Sequence, residues 1–188
     1  MLIESLILAL LIGLLAGGKL KNLMQLKLKG QILLILAVIL QAIAFQATQH
    51  HFWQEPNEVM PMLHTISYLF LLGFAWLNRA LPGIPIFAAG VALNALVIGL
   101  NGGLMPVDPA ILPEASQQAL LKGTGTHGLL TEGTKLKFLA DRFYAEIPGL
   151  TKQLFSLGDV FIDTGIGYLI IKTMISGRQA ERSQSLND

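Results

Sequence analysis

Hydrophobic positions come in long blocks along this chain rather than in a strict alternation. Five blocks stand out, at about residues 2–17, 32–47, 62–78, 85–101 and 156–175. A helix rises about 1.5 Å per residue, so about 20 apolar residues cross about 30 Å of hydrocarbon. The pattern therefore predicts five helices of near-spanning length, some short enough to need interfacial flanks. The first block opens at Leu2 without a basic segment or a small-residue cleavage site, so it reads as a retained span rather than a leader.

The polar segments between blocks suggest an orientation. Lys19, Lys21, Lys27 and Lys29 follow the first block, Arg79 follows the third, and Lys172, Arg178 and Arg182 lie at the end of the fifth. The segment between the second and third blocks holds Glu55 and Glu58 and no Lys or Arg. Read by the positive-inside rule, this alternation puts the N-terminus outside and the C-terminus inside.

One segment, 102–155, is too long for a plain connector. "PEASQQALLK" has a proline and an acid at its start and predicts a short helix. "TKLKFLADRFYAEI" places Leu136, Leu139, Phe143 and Ile147 on one helical face, which predicts an amphipathic helix over the bundle. "GTGTHG" reads as a flexible link. Its match to G-x-G-x-x-G is set aside, because no strand precedes it and no βαβ unit surrounds it. Residues 176–188 read as a flexible cytoplasmic tail after a single membrane domain at 1–175.

Composition agrees with burial in an apolar medium. The chain has 188 residues, 53% hydrophobic and 13% charged, against about 25% charged in soluble domains. Net charge is +1, so no basic field points to nucleic acid. Cysteine is absent, which excludes disulfides and thiol catalysis.

Polar residues inside or beside the blocks carry whatever chemistry there is. "LNGGLMPVDPA" ends the fourth block abruptly. Asn101 suits a last helical turn, Gly102 or Gly103 a left-handed cap, and Pro106 forbids continuation. The same glycines also allow backbone to approach a ligand or another helix. "SLGDVFIDTG" opens the fifth block, where Ser156 or Asp159 can cap the helix. Asp163 lies one turn deeper on the same face. An acid there faces either a wet interface or a functional cavity. His64 sits just after Pro61, and His127 and Asp141 lie in the long segment. Gln41, Gln46 and Asn94 are amides of the kind that tie helices together. Glu4, Gln46, His64, Asn101, Asp159 and Asp163 all fall towards one end of the five blocks. They predict a polar cup at that end, covered by the long segment. The candidate ligand- or partner-binding set is His64, Asn101, Gly102, Gly103, His127, Asp141, Asp159 and Asp163. It has no recognised metal-ligand spacing, and it names no catalytic residue or cofactor.

"GLLAGGKLKNL", the glutamine in "AVILQAIAF", "LNGGLMPV", "KFLADRF" with a following "IP", and "FSLGDVFIDTG" together resemble a family of small bacterial membrane proteins. That family has no assigned function and is classed as a domain of unknown function. The resemblance covers nearly the whole chain. It implies a multi-span bacterial membrane protein and carries no catalytic residue with it.

The expected fold is all-α, an integral membrane bundle of about five transmembrane helices with an extracytoplasmic loop containing short amphipathic helices. The expected place is the bacterial cytoplasmic membrane, multi-pass. The expected role is a non-enzymatic accessory or structural subunit that docks a membrane partner through its outer face. Two alternatives stand beside it. One is a carrier or binding protein for an ion or apolar small molecule, using the polar cup. The other is a membrane-embedded enzyme with Asp and His as acid and base. The expected partners are the lipid bilayer and a second membrane protein, with no nucleic acid.

Overall fold

The computed structural model describes residues 2–49, 59–121, 126–147 and 151–184. Six helices form: α1 (Leu2–Leu15), α2 (Gln31–Gln49), α3 (Val59–Leu77), α4 (Ile84–Leu100), α5 (Glu114–Leu121) and α6 (Leu157–Gln184). Four short strands accompany them: β1 (Met105–Val107), β2 (His127–Leu129), β3 (Phe143–Ile147) and β4 (Thr151–Phe155). The five long helices stand in the packing order α1, α6, α4, α3, α2. The core lies where α3, α4 and α6 meet, around Phe74, Ile84, Phe87, Val91 and Leu169.

Being at the two ends of that row, α1 and α2 each have one packed side. Their other sides leave apolar residues uncovered, among them Leu8, Leu11 and Leu15 on α1 and Ile32, Ile39 and Ile43 on α2.

The seam between α4 and α6 is made by glycine. Gly90 lies against the backbone of Gly158 and Ile162, and Gly165 against that of Gly83 and Phe87. Without a Cβ on either side the two backbones approach directly. At the other end of the bundle, Asn78 clamps Lys29, donating to its carbonyl and accepting from its amide, each at 2.8 Å.

Three expectations are corrected. Among the described residues no helix is long and apolar enough to cross a membrane. α1 has 14 residues, α4 has 17, and α2 and α3 have 19 each. At about 1.5 Å per residue, 19 residues reach just under 30 Å. α6 is longer at 28 residues, but Asp159, Asp163 and Lys172 interrupt its apolar run. The integral membrane bundle of five transmembrane helices is therefore overturned. The multi-pass cytoplasmic-membrane location, with its N-outside and C-inside orientation, is overturned with it. The all-α class also gives way, because two small sheets form.

The long segment folds partly as expected. "PEASQQALLK" does contain a helix, α5. "TKLKFLADRFYAEI" is not an amphipathic helix. Leu136 takes a left-handed φ of 53°, a single 3-10 turn covers Lys137–Leu139, and β3 comes next. β3 pairs antiparallel with β4, Phe143 opposite Phe155, and these two rings stack. "GTGTHG" falls partly outside the described residues, and its last two residues open β2. His50, His51 and the tail residues 185–188 lie outside the described residues.

Candidate functional site

The abrupt end of α4 builds one wall of the site. Asn101 closes the helix, and Gly102 and Gly103 take φ of 71° and 83°. Gly103 donates its amide back to the Ile98 carbonyl at 2.9 Å. A side chain at Gly103 would meet the Pro61 backbone, so α3 and this turn are in close contact. The chain then reverses into β1. On one side β1 pairs in parallel with β2, Met105 opposite His127. On the other side Val107 bridges to Asp141, whose amide donates to the Pro106 carbonyl at 2.9 Å. β1 is thus the ruler that sets His127 and Asp141 on either flank. Leu139 and Met105 pack onto Val97 and Ile98 of α4 and anchor the assembly to the bundle.

His127 Nε2 lies 3.6 Å from Asp141 Oδ2, and His127 Nδ1 lies 3.0 Å from the Thr126 hydroxyl. His64 donates from Nδ1 to the Gly103 carbonyl at 3.1 Å, which leaves Nε2 as the acceptor of the neutral ring. The His64 ring stands 6.4 Å from that of His127 and edge-on to Tyr68 at 5.3 Å.

α6 opens with a reciprocal cap. Ser156 Oγ accepts from the Asp159 amide at 3.2 Å, and Asp159 Oδ2 accepts from the Ser156 amide at 2.8 Å. This is a capping box with Asp in the place usual for Glu. Asn94 of α4 then donates to Asp159 Oδ1 at 2.9 Å and lies within 3.0 Å of the Ser156 hydroxyl. A short polar chain thus ties α4 to α6.

These groups border one cavity of about 570 Å³. Its polar part includes His64, His127, Asp141, Asp159, Asp163 and Asn94. Its apolar part includes Leu34, Leu71, Phe87, Ile162 and Ile166. Among the described residues, three carboxyl groups line it and no Lys or Arg does. Among the described residues no three His, Asp or Glu side chains gather closely enough to hold a metal ion.

The electrostatics arise from burial. Asp141 is 4% exposed, and its Oδ1 has no hydrogen-bond partner among the described residues. Leaving such a group unpaired costs about 1–3 kcal/mol. Burial first, and then the Asp159 charge, push the Asp141 carboxyl up to about 7. The His127 side chain is 44% accessible where it borders the cavity, with protein packed around the rest of the ring. That burial, with His64 nearby, pushes His127 down to about 4, against an opposing pull from Asp159. Burial also lowers His64 and raises Tyr68. Asp163 is half-buried and raised by the same cause, with a Ser5 hydrogen bond opposing. Near neutral pH, then, the His127–Asp141 pair is a neutral imidazole beside a carboxyl group poised to ionise.

Five of the sequence-derived candidates meet in this cavity: His64, His127, Asp141, Asp159 and Asp163. Three do not. Asn101 exchanges hydrogen bonds with the Lys135 backbone at 2.9 and 3.0 Å, so it pins the loop. Gly102 is exposed and has open space around it. Gly103 contributes its turn and the carbonyl that orients His64. The side chain of Gln46 lies outside the described residues. Gln41 links α2 to α3 through the Ser67 hydroxyl at 3.2 Å and also borders the cavity. Tyr68, Thr126 and Gln153 border it too and carry no signal in the sequence. Tyr68 stands at the start of the apolar run "YLFLLGFAWL", and nothing local distinguishes it from a packing residue.

The fold and site together define a small helical protein with one two-faced cavity. Residues 25–171 match the model of DUF5317, a family of unknown function. The chain is also 30% identical, over 166 residues, to an uncharacterized protein of Thermotoga maritima, covering 88% of each chain. This chain belongs to the DUF5317 family. No solved structure matches it.

Proposed function

We propose that this chain is a binding protein for a small amphipathic molecule. The observation that carries the reading is the two-sided lining of the cavity between α3, α4 and α6. About 570 Å³ lies within the roughly 300–1,000 Å³ common for small-molecule sites. Apolar side chains with a few convergent polar groups are the usual make-up of such a site. The unpaired Oδ1 of Asp141 supports it further, since a ligand can relieve a strain that the protein leaves in place.

A second reading, docking of a partner chain, is favoured by the apolar residues that α1 and α2 leave uncovered. The long segment lends it no amphipathic helix, because that segment turns and pairs as strands.

Native mass spectrometry of the full chain purified from its own cells tests both. A small-molecule adduct that is lost in an Ile166→Trp variant supports the cavity. A bare chain at every solution condition overturns it. A stoichiometric second chain, with no small molecule, moves the weight to docking.

A further inference from the structure

The binding-protein reading leaves the chemical class of the ligand open, and any assignment of that class rests on it. The cavity border has Asp141, Asp159 and Asp163 on its polar side, with the neutral His64 and His127, and no Lys or Arg among the described residues that line it. Asp141 is more than nine-tenths buried, with one oxygen unpaired. Asp159 is held by neutral donors only, the Asn94 amide and the Ser156 amide and hydroxyl. A cavity with this border disfavours an anionic head and favours a cationic one. A metal ion fits poorly, because no three potential ligands converge among the described residues. An ammonium needs no converging set of charged ligands, because its three donors can be met by one carboxylate, a neutral acceptor and water, with the other carboxylates adding only their field. The apolar floor of Leu71, Phe87, Ile162 and Ile166 fits a hydrocarbon tail.

We propose that the cavity binds an organic amine with an alkyl or aryl tail, the ammonium among Asp141, Asp159 and Asp163 and the tail against Phe87 and Ile166. Binding is linked to the Asp141 proton. The titratable groups that share the cavity border with Asp141 are His127 from β2, at 3.6 Å, His64 and Tyr68 from α3, and Asp159 and Asp163 from α6. On the outer side, the Arg142–Asp108 pair, closed at 3.2 Å, is exposed and self-compensated. Burial pushes Asp141 up to about 7, whereas an alkylammonium stays charged well above that. The amine therefore binds the ionised carboxylate and displaces its proton, so affinity rises with pH through neutrality.

Titration calorimetry of the full chain with octylamine, octanol and octanoate provides the test. Octylamine is expected to bind at least tenfold more tightly than octanol or octanoate. Its affinity should rise about tenfold from pH 5.5 to pH 8, with proton release seen as a dependence on buffer ionisation heat. Asp141→Asn should abolish the pH dependence, and Asp163→Asn, at a half-buried position, should weaken the amine while leaving the helical circular dichroism unchanged. Octanol binding as tightly as octylamine would overturn the amine assignment and leave the cavity reading standing. Tight binding of octylamine with no response to pH or to either variant would also overturn it. No binding of any of the three would bring down both.

Discussion

Helices α4 and α6 present two surfaces that differ in kind. Where they face each other, glycines let backbone touch backbone, and among the described residues no buried side-chain polar atom there lacks a partner. Where they face α3 and the β1–β2 strands, they border a cavity with three carboxyl groups, one of them with an unpaired oxygen. The first surface is complete in the protein alone. The second is incomplete, and its groups are held in costly states. A fold that spends close packing on one side of a helix pair can keep an unsatisfied pocket on the other. The contrast implies that changes to the cavity should relieve the protein, while changes to the seam should damage it.

The largest expected effect is relief at Asp141. Folded Asp141 keeps its proton up to about 7, whereas the unfolded chain releases it near 3.8. Between those values the folded state binds more protons, so this residue's contribution to stability falls as pH rises through that window. His127, lowered from 6.5 to about 4, works in the opposite direction, but its ring is 44% accessible and solvent screens it, so it offsets Asp141 only in part. Replacing Asp141 by Asn removes one side of the balance. The variant should match the native chain near pH 4 and exceed it at pH 8, by up to roughly 4 kcal/mol at about 1.4 kcal/mol per pH unit. Urea denaturation at the two pH values measures this, and a difference that does not change with pH would refute it. Gained stability alongside lost amine binding would identify Asp141 as a group kept for its ligand.

The seam should answer with the other sign. A Cβ on Gly165 would lie 2.7 Å from the Gly83 carbonyl oxygen and 2.8 Å from Phe87 Cα, both backbone atoms that cannot rotate away. Gly165→Ala should cost roughly 1–3 kcal/mol, even though Ala is the better helix former by about 1 kcal/mol. A thermal melt in which this variant is as stable as the native chain would mean that the helices are not in backbone contact.

Much of the site is readable in the sequence, and much of the fold around it is not. His64, Asp159 and Asp163 stand out because each interrupts an apolar run, and an isolated polar residue in such a run needs a reason. Asn101 stands out in the same way, yet it holds Lys135 and not the cavity. A polar interruption reveals that a group is satisfied somewhere without saying by what. The apolar blocks match the helices in place and nearly in length, α4 at Ile84–Leu100 against about 85–101, yet among the described residues none of these helices is long and apolar enough to cross a membrane. The double glycine after α4 ends the helix where the block itself ends. The strands are hidden by a helical coincidence. Leu136, Leu139, Phe143 and Ile147 fall at helical spacing, but the "RFYAEI" and "TKQLF" runs flank Pro148-Gly149, a turn signal that favours a hairpin. That dipeptide lies outside the described residues, and β3 and β4 on either side of it pair in the register a hairpin requires.

Asn94 sits where the two surfaces meet, and its replacement tests whether they are coupled. Its amide donates to Asp159, and its carbonyl oxygen lies 3.0 Å from the Ser156 hydroxyl. Asn94→Ala should cost about 1–2 kcal/mol by leaving these partners short of one bond each. Because Asp159 borders the cavity, amine affinity should fall as well. A loss of stability with affinity unchanged would show that the seam and the cavity are independent.

The smallest effect belongs to Gly167, two residues beyond Gly165. A Cβ there would rest 3.7 Å from the Ala9 Cβ of α1, an ordinary contact. With room available, only backbone freedom and helix propensity change. Gly167→Ala should therefore stabilise the chain by about 0.5–1 kcal/mol, the reverse of its neighbour. The pair separates two explanations for glycine in α6. If glycine served general flexibility, both substitutions would shift stability alike. If it serves close approach, only the face turned to α4 demands it, and the face turned to α1 accepts a methyl group. Opposite signs in the two melts require the second explanation, and matching signs would dissolve the distinction between the seam and the rest of the helix.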